Sequence, residues 1–165
     1  MIAIGAWFFV GKKTYDFGSG AQTKALIDQN GVYTNSKYKF KATLPKGYSV
    51  REVGAVVGSD SQSDTILFEN GSGDGIQILV TPYDDIKELT STIIRKDIPD
   101  MTIIDEQIVE VGSNYKGLAF KSDNPAFGGD SREVWLVFRG NLYQISAYAK
   151  MDSVLKTIFA TWQFL

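Results

Sequence analysis

A chain of 165 residues with 44% apolar content is the size of one domain and can bury a core without a disulfide or metal staple. Its 17 basic and 19 acidic residues leave a net charge of -2, so the global balance gives no electrostatic footprint for nucleic acid. With no cysteine and no histidine anywhere, disulfides, thiolate metal sites, Ser-His-Asp triads, Cys-His dyads and zinc hydrolase centres are excluded within this chain, and no cofactor is expected.

Residues 1–10, MIAIGAWFFV, are apolar throughout. As a helix they would cover about 15 Å, half of a bilayer's hydrocarbon core. No basic stretch precedes them in this sequence and no small-residue cleavage site is obvious, so they are not expected to be a complete signal peptide. They are expected to be the C-terminal part of a membrane anchor that begins upstream; the alternative is a terminal strand or helix packed in a core. Residues 11–32 read as a linker, with a flexible Gly18-Ser19-Gly20 and a possible two-turn helix over 21–29 stopped by Asn30-Gly31.

The domain is expected over residues 33–165. Tyr38, Phe40 and Ala42 alternate with Lys37, Lys39 and Lys41, which predicts a strand with an aromatic inner face and a lysine outer face. The lysine face reads either as an anion- or membrane-facing patch or as a solvent-facing strand that discourages edge pairing. Leu44-Pro45-Lys46-Gly47 breaks this strand and a second follows over 48–57. Residues 34–51 hold five basic residues and no acid, whereas 52–94 sum to -7, so a charge-polar molecule is expected. Within the acidic block, 65–69 and 76–81 read as strands joined by a Gly- and Ser-rich turn. The acids there, including Asp60 and Asp64, lack the glycine and glutamate of an EF-hand loop and the tandem copies of a calcium-binding repeat.

Residues 85–96 predict a helix capped by Asp85, with Glu88 completing a capping box and Ile86, Leu89 and Ile93 forming its stripe. Strands follow over 102–111 and 115–121. A polar connection, 122–131, carries Phe127, which reads as exposed beside two glycines; the connection reads either as a bare hairpin link or as a loop whose Phe127 is a candidate partner contact. Two alternating runs, 133–138 and 142–148, then meet at Gly140-Asn141 in a tight hairpin that sets Leu136 opposite Ile145 and leaves Trp135, Gln144 and Ser146 on a half-covered face. A last helix, entered at Asp152 as its cap, places Leu155, Ile158, Phe159 and Trp162 on one stripe that must pack on the sheet.

This order of elements resembles the PsbP-like domains: an aromatic-rich first strand ending in a Pro-Lys-Gly-aromatic turn (Pro45 to Tyr48), a strand pair, a helix, a meander and a final helix running into Thr161-Trp162-Gln163-Phe164. The resemblance implies an α+β fold, an antiparallel β-sheet flanked by helices in an α/β/α sandwich. It also implies a binding or scaffolding module rather than an enzyme, and it supplies no catalytic residue. Family metal positions that are histidines have no counterpart in a chain without histidine. The expected protein is a non-enzymatic, membrane-tethered, extracytoplasmic domain that meets a protein or envelope component through Lys37, Lys39, Lys41 and Phe127. The alternatives are a cytoplasmic protein-binding module with residues 1–10 in its core and a carboxylate-based hydrolase.

Overall fold

The computed structural model describes residues 26–53, 63–84 and 88–165. The apolar residues 1–10, the linker up to residue 25, the far end of the predicted 48–57 strand, Asp60 and the expected cap Asp85 lie outside the described residues.

Seven antiparallel strands form the larger sheet: β3 (Tyr48–Val53), β4 (Asp64–Asn70), β5 (Gly75–Pro82), β6 (Ile104–Val111), β7 (Tyr115–Ser122), β8 (Ser131–Phe138) and β9 (Asn141–Tyr148). Their order is β3-β4-β5-β9-β8-β7-β6. A smaller sheet, β1-β2-β10, is built from β1 (Val32–Asn35), β2 (Phe40–Thr43) and β10 (Gln163–Phe164). Two helices, α1 (Ser91–Asp97) and α2 (Asp152–Thr161), complete an α+β fold of antiparallel sheets flanked by helices, as expected. Among the described residues no helix is long and apolar enough to cross a membrane.

Period-two alternation explains how one sheet serves two cores. Ile76, Ile78 and Val80 of β5 and Tyr143 and Ile145 of β9 face the small sheet and the Leu155, Ile158, Phe159 stripe of α2. The opposite face sends Trp135, Leu118, Phe120 and Leu142 against Leu89, Ile94 and Met101 around α1. Both faces are therefore covered, and Trp135, Gln144 and Ser146 are buried rather than half-covered.

Several local expectations are corrected. The tight loop of the β8–β9 hairpin is Arg139-Gly140, both at positive φ (46° and 72°), as a type I′ turn requires, so Phe138 pairs Asn141 and Leu136 pairs Tyr143. Arg139 is held there by its guanidinium, which donates to the Leu165 carbonyl at 2.8 Å and lies 4.9 Å from the Phe138 ring centroid. The shift is two residues, so every side chain keeps its predicted face. Asp152 is not a cap: Met151 precedes the helix after a 3-10 turn, and the Asp152 carboxylate pairs with Arg132 and Lys156 at 3.1 and 2.7 Å. Helix α2 ends at Thr161, after which Gln163–Phe164 turns extended and pairs with β2. Residues 26–31 are not helical; Ile27 bridges to Tyr33, and Asp28 Oδ1 accepts from the Asn30 and Val32 amides.

Helix α1 starts later than expected, because Thr90 Oγ1 accepts from the Ile93 amide and Glu88 lies before the helix. Leu89 and Ile94, both buried in the same cluster, clamp the entry as a hydrophobic staple. Thr90→Ala is expected to lower stability by about 1 kcal/mol, read as a shift in the urea midpoint at unchanged slope. At the other side of the molecule Gly112 (φ 65°) donates its amide to Phe159 O at 2.8 Å. A Cβ there would stand 2.2 Å from Trp162 O, so this β6–β7 turn tolerates only glycine against the end of α2.

Candidate functional site

Among the described residues a cleft of about 370 Å³ opens where the small sheet meets β3 and β4. Strand β1 lends Thr34 and Asn35 to its lining, while Tyr33, buried by alternation, reaches the site only through its hydroxyl on Glu52. A four-residue turn, residues 36–39, carries the chain into β2. Asn35 shapes it by accepting the Tyr38 amide on Oδ1 at 2.8 Å, and Lys39 closes it at φ 55°. From the facing strands come Glu52 of β3 and Asp64 of β4.

Two tyrosine–carboxylate pairs result. The Tyr33 hydroxyl donates to Glu52, and Asn35, only 4% exposed, donates from Nδ2 to both the Tyr33 hydroxyl (2.7 Å) and Glu52 Oε1 (3.2 Å). The Tyr38 hydroxyl donates to Asp64 Oδ2 at 2.9 Å, and the Lys37 ammonium sits on the same oxygen. Burial, and after it the hydrogen bond to the neighbouring carboxylate, pushes both the Tyr33 and Tyr38 hydroxyls far above the ordinary phenol range. Both phenols therefore stay neutral donors across the physiological range. The cleft thus turns fixed donors toward two carboxylates and offers those carboxylates to a visitor, an arrangement complementary to a cation or an N–H-rich group.

The predicted lysine row does not form. The strand expected from Tyr38 begins at Phe40, because Asn35 captures the Tyr38 amide and bends the chain. Lys37 lies in the turn on the cleft wall, and Lys39 is exposed at a left-handed position with its carbonyl accepting the Leu165 amide at 2.6 Å. Lys41 sits half-buried in β2 between Thr34 and Gln163. Strand β2 is the middle strand of its sheet, not an edge.

Phe127 is corrected outright: it is 2% exposed. Asn124 caps a 3-10 turn over Pro125–Phe127 by accepting the Ala126 amide, which swings the Phe127 ring inward, edge-on to Tyr148 at 5.3 Å. Nor do the basic and acidic blocks form two poles. Among the described residues Arg51 pairs with Glu69 at 2.9 Å because β3 and β4 are hydrogen-bonded neighbours, while Lys37 from the β1–β2 turn pairs with Asp64 and Lys150 with Asp74 at 2.6 Å. Among the described residues no group of three or more acidic side chains is placed to hold a metal ion.

No family model matches the chain, and no curated protein matches it. Among solved structures, the solution structure of cyanobacterial PsbP (CyanoP) from Synechocystis sp. PCC 6803 superposes with a TM-score of 0.51, covering 92% of this chain and 100% of that one at 14% identity. The fold is PsbP-like. At that identity the likeness concerns the path of the chain alone. Tyr33, Asn35 and Glu52 went unnoticed as a site in the sequence. Their only local signal is a buried-parity polar residue, Asn35, two positions after an aromatic in a short strand.

Proposed function

We propose that this PsbP-like domain is a non-catalytic binding module, tethered to a membrane through its N-terminal apolar residues on the extracytoplasmic side, whose junction cleft receives a cationic group of a protein or envelope partner. The observation that carries this reading is the Lys37 ammonium seated on Asp64 beside the Tyr38 hydroxyl. A primary ammonium already occupies the acceptor position, and its flexible, exposed stem can yield that position to a ligand. The tether rests on the apolar run MIAIGAWFFV followed by a glycine- and serine-containing stretch.

The test uses the full chain and N-acetyl-arginine amide as probe, followed by amide chemical shifts. Saturable shifts are expected at Asn35, Tyr38 and Asp64. Affinity should rise in Lys37→Ala, which removes the competing ammonium, and fall about tenfold in Glu52→Gln. No saturable shift in the cleft, or equal affinity in parent and Glu52→Gln, would remove the cleft from the reading. For the tether, protease protection of residues 1–10 only in the presence of micelles is expected; protection in plain buffer favours the cytoplasmic module with those residues in its core.

A carboxylate-based hydrolase is the second reading, favoured by Glu52 and Asp64 lining one cleft. It requires one carboxyl free to give a proton to a leaving group. Tyr33 and Asn35 already donate to Glu52, and Lys37 and Tyr38 to Asp64, which suits holding a cation better than donating a proton.

A further inference from the structure

Among the described residues the larger sheet ends on one side in a long exposed edge. β6 stands at the end of the seven-stranded sheet with β7 as its only partner, and its first five residues are all exposed. Alternate backbone N–H and C=O groups over 107–110 therefore point away from the sheet toward solvent, whereas Val111 is fully buried. Ile104 and Ile108 lie on this strand at 53% and 54% exposure; among the described residues the only other large apolar side chain so open is Leu165 at the chain's end. Ile108 pairs with Leu118, so it stands on the α1 side of the sheet, where partly buried Ile93, Ile98 and Ile103 extend the apolar surface.

Acidic side chains flank that isoleucine along the strand, with one exposed cation, Lys116, across from them. Glu106 and Glu110 alternate with Ile108 along the strand, and neither holds an ion pair among the described residues, although Lys116 stands opposite Glu110 in the register. A bulge between Ile104 and Gln107, with Asp105 at φ 53° and paired to Lys121 at 2.7 Å, ends regular pairing on one side and leaves Glu106 in the bulge at the margin of the edge. A second copy of the chain is a poor occupant. Antiparallel pairing of two β6 strands about Ile108 brings Glu110 of each copy to the Glu106 end of the other, and like charges brought together across a strand pair destabilise it.

We propose that β6 is a docking edge for an extended segment of a partner protein. Such a segment adds an eighth strand and carries lysine or arginine two residues to either side of an apolar residue. Backbone bonds to 107–110 supply the pairing, the central apolar side chain covers Ile108, and the flanking cations meet Glu106 and Glu110. This surface is separate from the junction cleft, which is lined by β1, β3 and β4 residues, so the two can be tested independently.

The test uses the full chain and a blocked peptide of sequence threonine-lysine-threonine-valine-threonine-arginine-threonine, with hydrogen exchange read amide by amide. Expected is slowed exchange at alternate amides of 107–110, with an affinity that drops about tenfold in the Glu106→Lys/Glu110→Lys double variant. That variant should instead bind the same peptide with glutamate in place of its two basic residues, which also shows that it is folded. Without any mutation, about 0.5 M salt should weaken binding to the parent chain. The proposal is overturned by unchanged exchange at 107–110 with about 1 mM peptide, by equal binding of the basic and acidic peptides to the parent chain, or by protection of those amides in a self-associated parent chain without peptide.

Discussion

Replacing Phe40 with alanine is expected to cost about 3–5 kcal/mol, the range for deleting a fully enclosed aromatic ring from a core that cannot collapse around the gap. Phe40 has no exposed surface. Its ring stacks on Trp162 at 4.2 Å and 7°, and meets Tyr33, Tyr143 and Phe164 edge-on at 5.7, 6.2 and 6.4 Å. Those partners come from β1, β9, β10 and the residue ending α2, so one ring joins the small sheet, the large sheet and the last helix. Urea unfolding should show a lower midpoint at unchanged slope, while Lys41→Ala, one residue along and half-buried, should stay within about 0.5 kcal/mol of the parent. A loss below about 1 kcal/mol in Phe40→Ala would mean that the small sheet is not held by this aromatic cluster. Because Tyr33 is both a packing partner of Phe40 and the donor to Glu52, the same variant should loosen the cleft.

How the chain can be read from its residues depends on where its information is local. Strands β4, β5, β7, β8 and β9 follow from short apolar runs bounded by turn residues, and their burial on both faces makes those runs nearly continuous. Helix α2 shows its stripe in the spacing of its apolar residues. Starts and stops were less readable. The first turn of α1 depends on Thr90 rather than Asp85 or Glu88, and only Leu89 and Ile94 meeting in a shared core distinguish the two frames. Strand β10 could not be foreseen: two residues after a helix become a strand solely because β2 offers them an edge.

The candidate site was less legible than the fold. Lysines at alternate positions 37, 39 and 41 predict one face, but alternation holds only while the chain stays extended, and Asn35 bends it through residues 36–39. Phe127 looked like an exposed loop aromatic because glycines follow it. Gly128 and Gly129, at φ 70° and 80°, turn the chain so that the ring goes in. Glu52 and Asp64 counted only as charge in an acidic block. Their meeting with Tyr33 and Tyr38 spans up to 26 residues of sequence and arises from the packing of two sheets, a long-range relation no window along the chain contains.

Stability is expected to fall as pH rises through the range just above the ordinary glutamate pKa, about 4.3, the reverse of the usual carboxylate contribution. Glu133 is the reason. It sits at 0% exposure on central strand β8 and receives Ser131 Oγ at 2.7 Å, Asn124 Nδ2 and Trp135 Nε1 at 3.2 Å each, and Ser146 Oγ, with no ion pair among the described residues. Burial raises its pKa, and the four hydrogen bonds pull it back only in part. Between the ordinary and the raised value the folded chain keeps a proton that the unfolded chain has released, so unfolding releases that proton and becomes easier as pH rises. The contribution is fully present on the acid side of the window and is lost once the folded carboxyl ionises. Asp152, whose pKa is lowered chiefly by Lys156, contributes with the opposite sign and below this range. The difference between parent and Glu133→Gln in urea unfolding, from about pH 5 to about pH 8, therefore isolates Glu133. The glutamine chain should lack the downward slope and match or exceed the parent at the alkaline end. Glu133→Leu should lose about 3–5 kcal/mol, because it strands the Asn124 and Trp135 donors in an apolar layer and frees the turn that buries Phe127. A parent and glutamine variant with identical pH profiles would mean that Glu133 keeps an ordinary pKa despite its enclosure.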